Sequence, residues 1–208
     1  MKSHRRHPLL VCLTALLETA CARSEHLPVV RDGDLIFQTS RSSQSVAIQR
    51  ATGSPYSHMG LVLVRDGKPY VFEAVATVRF TPLDRWIARG AGGHFVVKRL
   101  RNAGSVLDAA GINRLRTAAL RFAGRPYDPT FEWSDDRIYC SELVWKGMTA
   151  AVSTSAPFKP PATSIAPTPR CGPRCTNATA TRCLPLNESV ISPVTLFQST
   201  LLTTVAQR

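Results

Sequence analysis

Over residues 30–100 the apolar residues come in short runs rich in β-branched and aromatic types, punctuated by turn signals, and predict strands. Asp34-Leu35-Ile36-Phe37 follows a Gly33 turn. Gly60 to Val64 is a continuous apolar run, and Tyr70-Val71-Phe72-Glu73 returns from it across Asp66-Gly67, a pair suited to a tight hairpin. Val78 to Thr81 and His94 to Leu100 read as two further strands. Helical spacing is predicted over Ser42 to Arg50, where Ser42 can cap, and over Pro82 to Arg89. It runs next over 105–123, through Val106, Ala110, Leu115, Ala119 and Phe122, with Gly124 as the stop. Pro126 and Pro129 forbid a helix across the following loop. Ile138 to Lys146 is helical again, with Asp135 or Asp136 as its expected cap and Cys140 in or just before its first turn.

Both flanks of this pattern differ from its centre. At the start, Lys2, Arg5 and Arg6 precede the apolar stretch Leu9 to Leu17, and Ala20-Cys21-Ala22 supplies small residues for cleavage before Arg23. Residues 1–22 are therefore expected to be a signal peptide and the protein to be exported and periplasmic. A lipoprotein acylated on Cys21 is the alternative, disfavoured by Glu18 where a lipobox wants Leu. Later, residues 148–185 lose apolar periodicity. No Asp or Glu lies between Glu142 and Glu188, while Pro, Thr, Ala, Arg and Cys accumulate, as a GC-rich gene yields in a wrong reading frame. This stretch is expected to be an irregular, poorly packed and non-native insert. Ordered sequence resumes at Leu186, so residues 23–147 and 186–208 are expected to share one domain.

Composition narrows the classes. The 208 residues suffice for one domain with a real core, and 44% hydrophobic content excludes a wholly disordered chain. No run of 18 or more apolar residues is present to span a bilayer. The formal charge of +12 points to anionic partners, such as an envelope surface or an acidic cell-wall polymer. Arg79, Arg85, Arg89, Lys98, Arg99 and Arg101 lack the aromatic interleaving of a nucleic-acid site, and nucleic acid is not expected as a partner. Cys171, Cys175 and Cys183 fall short of four zinc ligands and have no histidine nearby, so neither metal nor cofactor is expected.

His58, Glu73 and Cys140 are the candidates for chemistry. A thiol becomes a nucleophile when a base draws off its proton and a helix N-terminus favours the thiolate. Pairing about the Asp66-Gly67 turn places Gly60 opposite Glu73 and His58 diagonally two residues on, so both side chains share one sheet face. Taken singly, each also fits a plainer position: a core thiol, a structural donor at a strand start, a solvated acid.

The words around these residues add more. Gly33-Asp34-Leu35-Ile36-Phe37, Tyr56-Ser57-His58-Met59-Gly60, Phe72-Glu73-Ala74 and Tyr139-Cys140-Ser141-Glu142-Leu143-Val144 resemble, in this order, the motifs of the permuted papain-like amidases of the YaeF/YiiX family, within the NlpC-type cysteine peptidase superfamily. The likeness runs from about Gly33 to Lys146 and returns at Leu186. It implies an α+β, circularly permuted papain-like (NlpC-type) fold, a mostly antiparallel sheet packed by helices, with the histidine ahead of the cysteine. It further implies Cys140 as nucleophile, His58 as general base and Glu73 as the orienting member. Gly124-Arg125-Pro126-Tyr127 is similar to the word that precedes the NlpC cysteine, making Tyr127 a candidate to hold the substrate carbonyl or oxyanion; Tyr56 is a further candidate. The expected function is a cell-envelope cysteine hydrolase cleaving a peptide or N-acyl amide, with peptidoglycan peptide as leading substrate. A lipid acyl hydrolase or acyltransferase on an acyl-lipid, and a catalytically silent envelope-binding module, are the alternatives.

Overall fold

The structure, a computed structural model, describes residues 27–152 and 190–208. The signal-peptide segment and most of the irregular stretch, residues 153–189, lie outside the described residues.

The five predicted strands, joined by a sixth near residue 205 that the pattern did not predict, form one six-stranded sheet. They are β1 (Leu35–Gln38), β2 (His58–Arg65), β3 (Lys68–Ala74), β4 (Val78–Pro82), β5 (Val96–Leu100) and β6 (Leu202–Gln207). Their order is β4-β3-β2-β1-β5-β6 and every pairing is antiparallel. The hairpin forms as the Asp66-Gly67 pair predicts. Both turn residues have positive φ (49° and 72°), the geometry whose twist matches the flanking strands. The ladder runs from Arg65↔Lys68 to Leu61↔Phe72, the register expected from the turn. That register matters because a slip of one residue would send Glu73 to the other face of the sheet.

Strand alternation then builds two cores. On one face Leu35, Phe37, Leu61, Leu63 and Phe72 pack with α4 (Ala109–Leu120), α5 (Cys140–Val152) and α6 (Pro193–Phe197). On the other face Ile36, Val62, Val71 and Val97 pack with Leu83, Trp86 and Ile87 of α2 (Leu83–Arg89). α1 (Ser45–Thr52) lies between β1 and β2 in the chain.

Four local expectations change. Ser42 does not cap α1, whose N-cap residue is Gln44. The helix expected over 105–123 is two: α3 (Ala103–Val106) and α4, whose N-cap Asp108 accepts from the Gly111 N–H at 2.7 Å. Gly111 allows that turn, since a Cβ there would collide with the Val106 carbonyl. Asp135 does not cap α5; it pairs with Lys146 at 2.7 Å, and the helix begins only at Cys140. Finally, α5 runs past the expected boundary at residue 148. Leu143, Val144, Met148, Ala151 and Val152 continue one buried stripe, so packing carries the helix to Val152. Gly147 faces α4, where an added Cβ would meet the Ala119 methyl at an ordinary 3.4 Å. Beyond the gap, β6 pairs with β5, and α6, capped by Ser192, closes the first core.

Candidate active site

Cys140 is the first residue of α5 and only 2% exposed. The chain on either side of it is tightly held. The Tyr139 hydroxyl accepts the Ile191 N–H at 3.2 Å, and the Ser141 hydroxyl donates to the Ile191 carbonyl at 2.6 Å. Glu142 reaches back to accept the Tyr139 N–H at 3.4 Å, one half of a capping box. The first turn is thus fixed by the segment that returns after the gap. Free N–H groups and the positive end of the helix dipole lie at the thiol.

His58 opens β2, where it is buried and opposite Gln38 of β1. Its Nε2 donates to Glu73 Oε2 at 2.6 Å, which leaves Nδ1 to the Cys140 thiol. Gly60 makes this reach possible: a Cβ there would press on Val71, the Phe72 carbonyl and the Glu73 Cβ. The three candidates are therefore brought together in the order Cys140, His58, Glu73.

Sequence reasoning missed what surrounds Glu73. The carboxylate is fully buried and accepts from three groups besides His58. Thr81 donates to Oε1 at 2.6 Å, Trp86 Nε1 to Oε2 at 2.9 Å, and the Arg89 guanidinium to the same Oε2. Trp86 also stacks near His58, with ring centroids 6.0 Å apart. The available signal was the hairpin register, which puts Thr81 of β4 diagonal to Glu73 on the same face. Trp86 and Arg89 arrive by the packing of α2, which no short pattern encodes.

These contacts set the charges. Burial alone would lower His58, but its hydrogen bonds to Cys140 and Glu73 outweigh this and raise it to about 9. Burial alone would raise Glu73, yet His58 first and Arg89 second bring it down to about 2. Burial likewise opposes a Cys140 thiolate, and the hydrogen bond and charge of His58 bring the thiol below its ordinary value. These directions favour a thiolate–imidazolium pair backed by a carboxylate, an arrangement able to attack a carbonyl carbon and then protonate a leaving group.

The two tyrosines differ. Tyr127, half-buried, feels the Cys140 charge, and its hydroxyl donates to Gln44 Oε1 at 3.1 Å. Burial, followed by the charges of Cys140 and Asp128, pushes its pKa up, so it stays a donor. Tyr56 stacks on Phe197 with centroids 4.2 Å apart and packs against the first core.

A family model described as permuted papain-like amidase enzyme, YaeF/YiiX, C92 family, matches residues 29–168, so the likeness extends past Lys146. Uncharacterized protein YiiX of Escherichia coli (strain K12) is 44% identical over 184 residues, 84% of this chain and 85% of that protein. The crystal structure of metalloprotein yiiX from Escherichia coli O157:H7 is 41% identical and has a TM-score of 0.68, covering 86% of this chain and 97% of that one. Among the described residues of this chain, no three His, Cys, Asp or Glu side chains gather to hold a metal ion. Glu73, the carboxylate of the site, is already occupied by four donors. Among the described residues, the donor set at this site does not fit a metal.

Proposed function

The chain belongs to the YaeF/YiiX family of permuted papain-like amidases and is a cysteine hydrolase of that superfamily; from this premise we propose that it cleaves a peptide amide of the cell envelope through Cys140, His58 and Glu73. The observation that carries the reading is the buried His58–Glu73 pair, 2.6 Å apart, set against the thiol at the first residue of α5.

The Cys140 thiolate adds to the amide carbon, forming the C–S bond. The oxyanion is met by backbone N–H groups of the first turn of α5. Tyr127 can add its hydroxyl by giving up its bond to Gln44. As the C–N bond breaks, the proton on His58 Nδ1 passes to the departing amine. Neutral His58 then takes a proton from water, the hydroxide adds to the thioester, and the C–S bond breaks. The acid leaves and the thiolate–imidazolium pair is restored. Throughout, Glu73 keeps Nε2 protonated and the ring in place.

The basic, apolar, small-residue succession before Arg23 supports an exported protein, and the net positive charge that remains after Arg23 supports an anionic polymer as its setting. Activity-based labelling with a panel of peptide and lipid acyl probes, read by mass spectrometry of the Cys140 peptide, tests the reading. Peptide probes are expected to acylate Cys140, and the Cys140→Ala protein is expected to stay unlabelled. Labelling by lipid probes alone would move the assignment to a lipid acyl hydrolase, and an inert Cys140 would make the protein a silent binding module. N-terminal sequencing of exported protein is expected to begin near Arg23.

A further inference from the structure

Arg89 has no step in that mechanism, yet it touches the oxygen on which the mechanism turns. Its guanidinium donates to Glu73 Oε2, the atom that also accepts from His58 Nε2 at 2.6 Å and Trp86 Nε1 at 2.9 Å. Glu73 is fully buried, whereas the Arg89 side chain, at the end of α2, is 37% exposed. One buried negative charge therefore faces two cations. Resting on the hydrolase reading above, we propose that Arg89 is a positioning residue that divides the Glu73 charge with His58 and thereby sets how tightly the imidazole holds its proton.

The two halves of the reaction make opposite demands on His58. Thiolate attack needs the imidazolium, and thioester hydrolysis needs the neutral ring with Nδ1 free. Were His58 the sole cation at Glu73, each deprotonation would leave a buried carboxylate with no counter-charge, a costly state. The ring would stay an imidazolium when a base is required. A guanidinium remains charged at every working pH, so Arg89 supplies the counter-charge in the neutral half of the cycle.

The remaining charged groups near the pair cannot replace it. Cys140 on α5 faces His58 and as a thiolate strengthens the imidazolium. On β4, Arg79 is the cross-strand partner of Glu73 but is exposed, and Asp84 and Arg85 on α2 are also exposed. β1 presents the neutral Gln38 opposite His58. Among the described residues, His58 and Arg89 are the cations in contact with the Glu73 carboxylate.

Iodoacetamide alkylation of Cys140, followed by mass spectrometry across pH, reads the pair without a substrate. The wild-type rate should rise in two limbs: the lower as the thiolate forms, the upper as His58 loses its proton. In Arg89→Met the upper limb should move to higher pH by about one pH unit, because a cation next to the imidazolium is gone. Arg89→Gln keeps an N–H donor without the charge and should move the same way, while Arg89→Lys should stay with the wild type. A purely structural Arg89 gives the reverse, a downward move in Arg89→Met as Glu73 loses its place and none in Arg89→Gln. An upper limb that is unmoved or lowered in both neutral variants overturns the Arg89 role alone. A wild-type Cys140 that titrates in one limb as an ordinary thiol overturns the hydrolase reading itself.

Discussion

Two buried carboxylates lie on either side of the nucleophile, and they behave in opposite ways. Glu73 and Glu142 are both fully shielded from solvent. Glu73 accepts from four donors, two of them cationic, and is held down at about 2. Glu142 has one ammonium, Lys146 at 2.7 Å, and one long bond from the Tyr139 N–H. For it burial prevails over Lys146, and it rises to about 7. Burial is common to both; the number and charge of the donors decide which stays an anion. In the proposed mechanism the first carboxylate serves chemistry, and the second holds the helix start.

The largest expected effect tests whether the Glu73 cage has a catalytic partner at all. Cys140→Ala and His58→Ala should each lose about 10⁴-fold or more in turnover of an acyl probe, since the pair acts as a unit. Their thermal unfolding should stay close to wild type. Full activity in purified Cys140→Ala would end the assignment.

Glu73→Gln comes next, with a loss of about 10²-fold, because the ring is still present but no longer held or polarised. Its alkylation profile should show the upper limb shifted to lower pH, since the anion that raises His58 is gone while Arg89 remains. It should also lose about 2 kcal/mol of stability, as several buried donors are left with a poorer acceptor.

Glu142→Gln should leave turnover within a few-fold and change instead how stability depends on pH. Glu73 is depressed from 4.5 to about 2, so its contribution is present above about 4.5 and is lost as pH falls toward 2. Glu142 is raised from 4.5 to about 7, so the folded protein keeps a proton that the unfolded chain has released. Its contribution is lost as pH rises through that window. Relative to Glu142→Gln, the wild type should therefore lose stability between about 4.5 and 7, as urea unfolding at a series of pH values would read. The smallest effect is expected of Tyr56→Phe, which keeps the ring on Phe197 and should alter turnover by less than about twofold. A loss near that of Glu73→Gln would place the Tyr56 hydroxyl in the site.

The contrast also marks what a sequence makes legible. The turn at Asp66-Gly67 sets the β2–β3 register, and from it the shared face of His58 and Glu73 can be counted, because strand pairing beside a tight turn is local. The helix start at Cys140 was visible for a similar reason, though its cap was not. Asp135 looked the better cap by type, but it lies outside the helix and pairs with Lys146. Glu142 and Lys146 stand one turn apart on α5, and only the fold puts the pair under cover. Trp86 and Arg89 belong to the helix that covers the sheet face Glu73 shares with Val71. Their meeting with Glu73 depends on how α2 docks, and that is tertiary information. The helix over 105–123 broke where Asp108 found a better role as a cap than as an interior residue.

The hold of Ile191 on Tyr139 and Ser141 also has a temporal side. These bonds join positions 50 and 52 residues apart, and β6 beyond them must pair with β5, more than a hundred residues upstream. Translation delivers Cys140, His58 and Glu73 well before it delivers Ile191. A ribosome-bound chain that has made the nucleophile still lacks the clasp that aims it, and loops of this length close late. Reactivity is thus deferred until the segment around Ile191 has followed the thiol out of the ribosome.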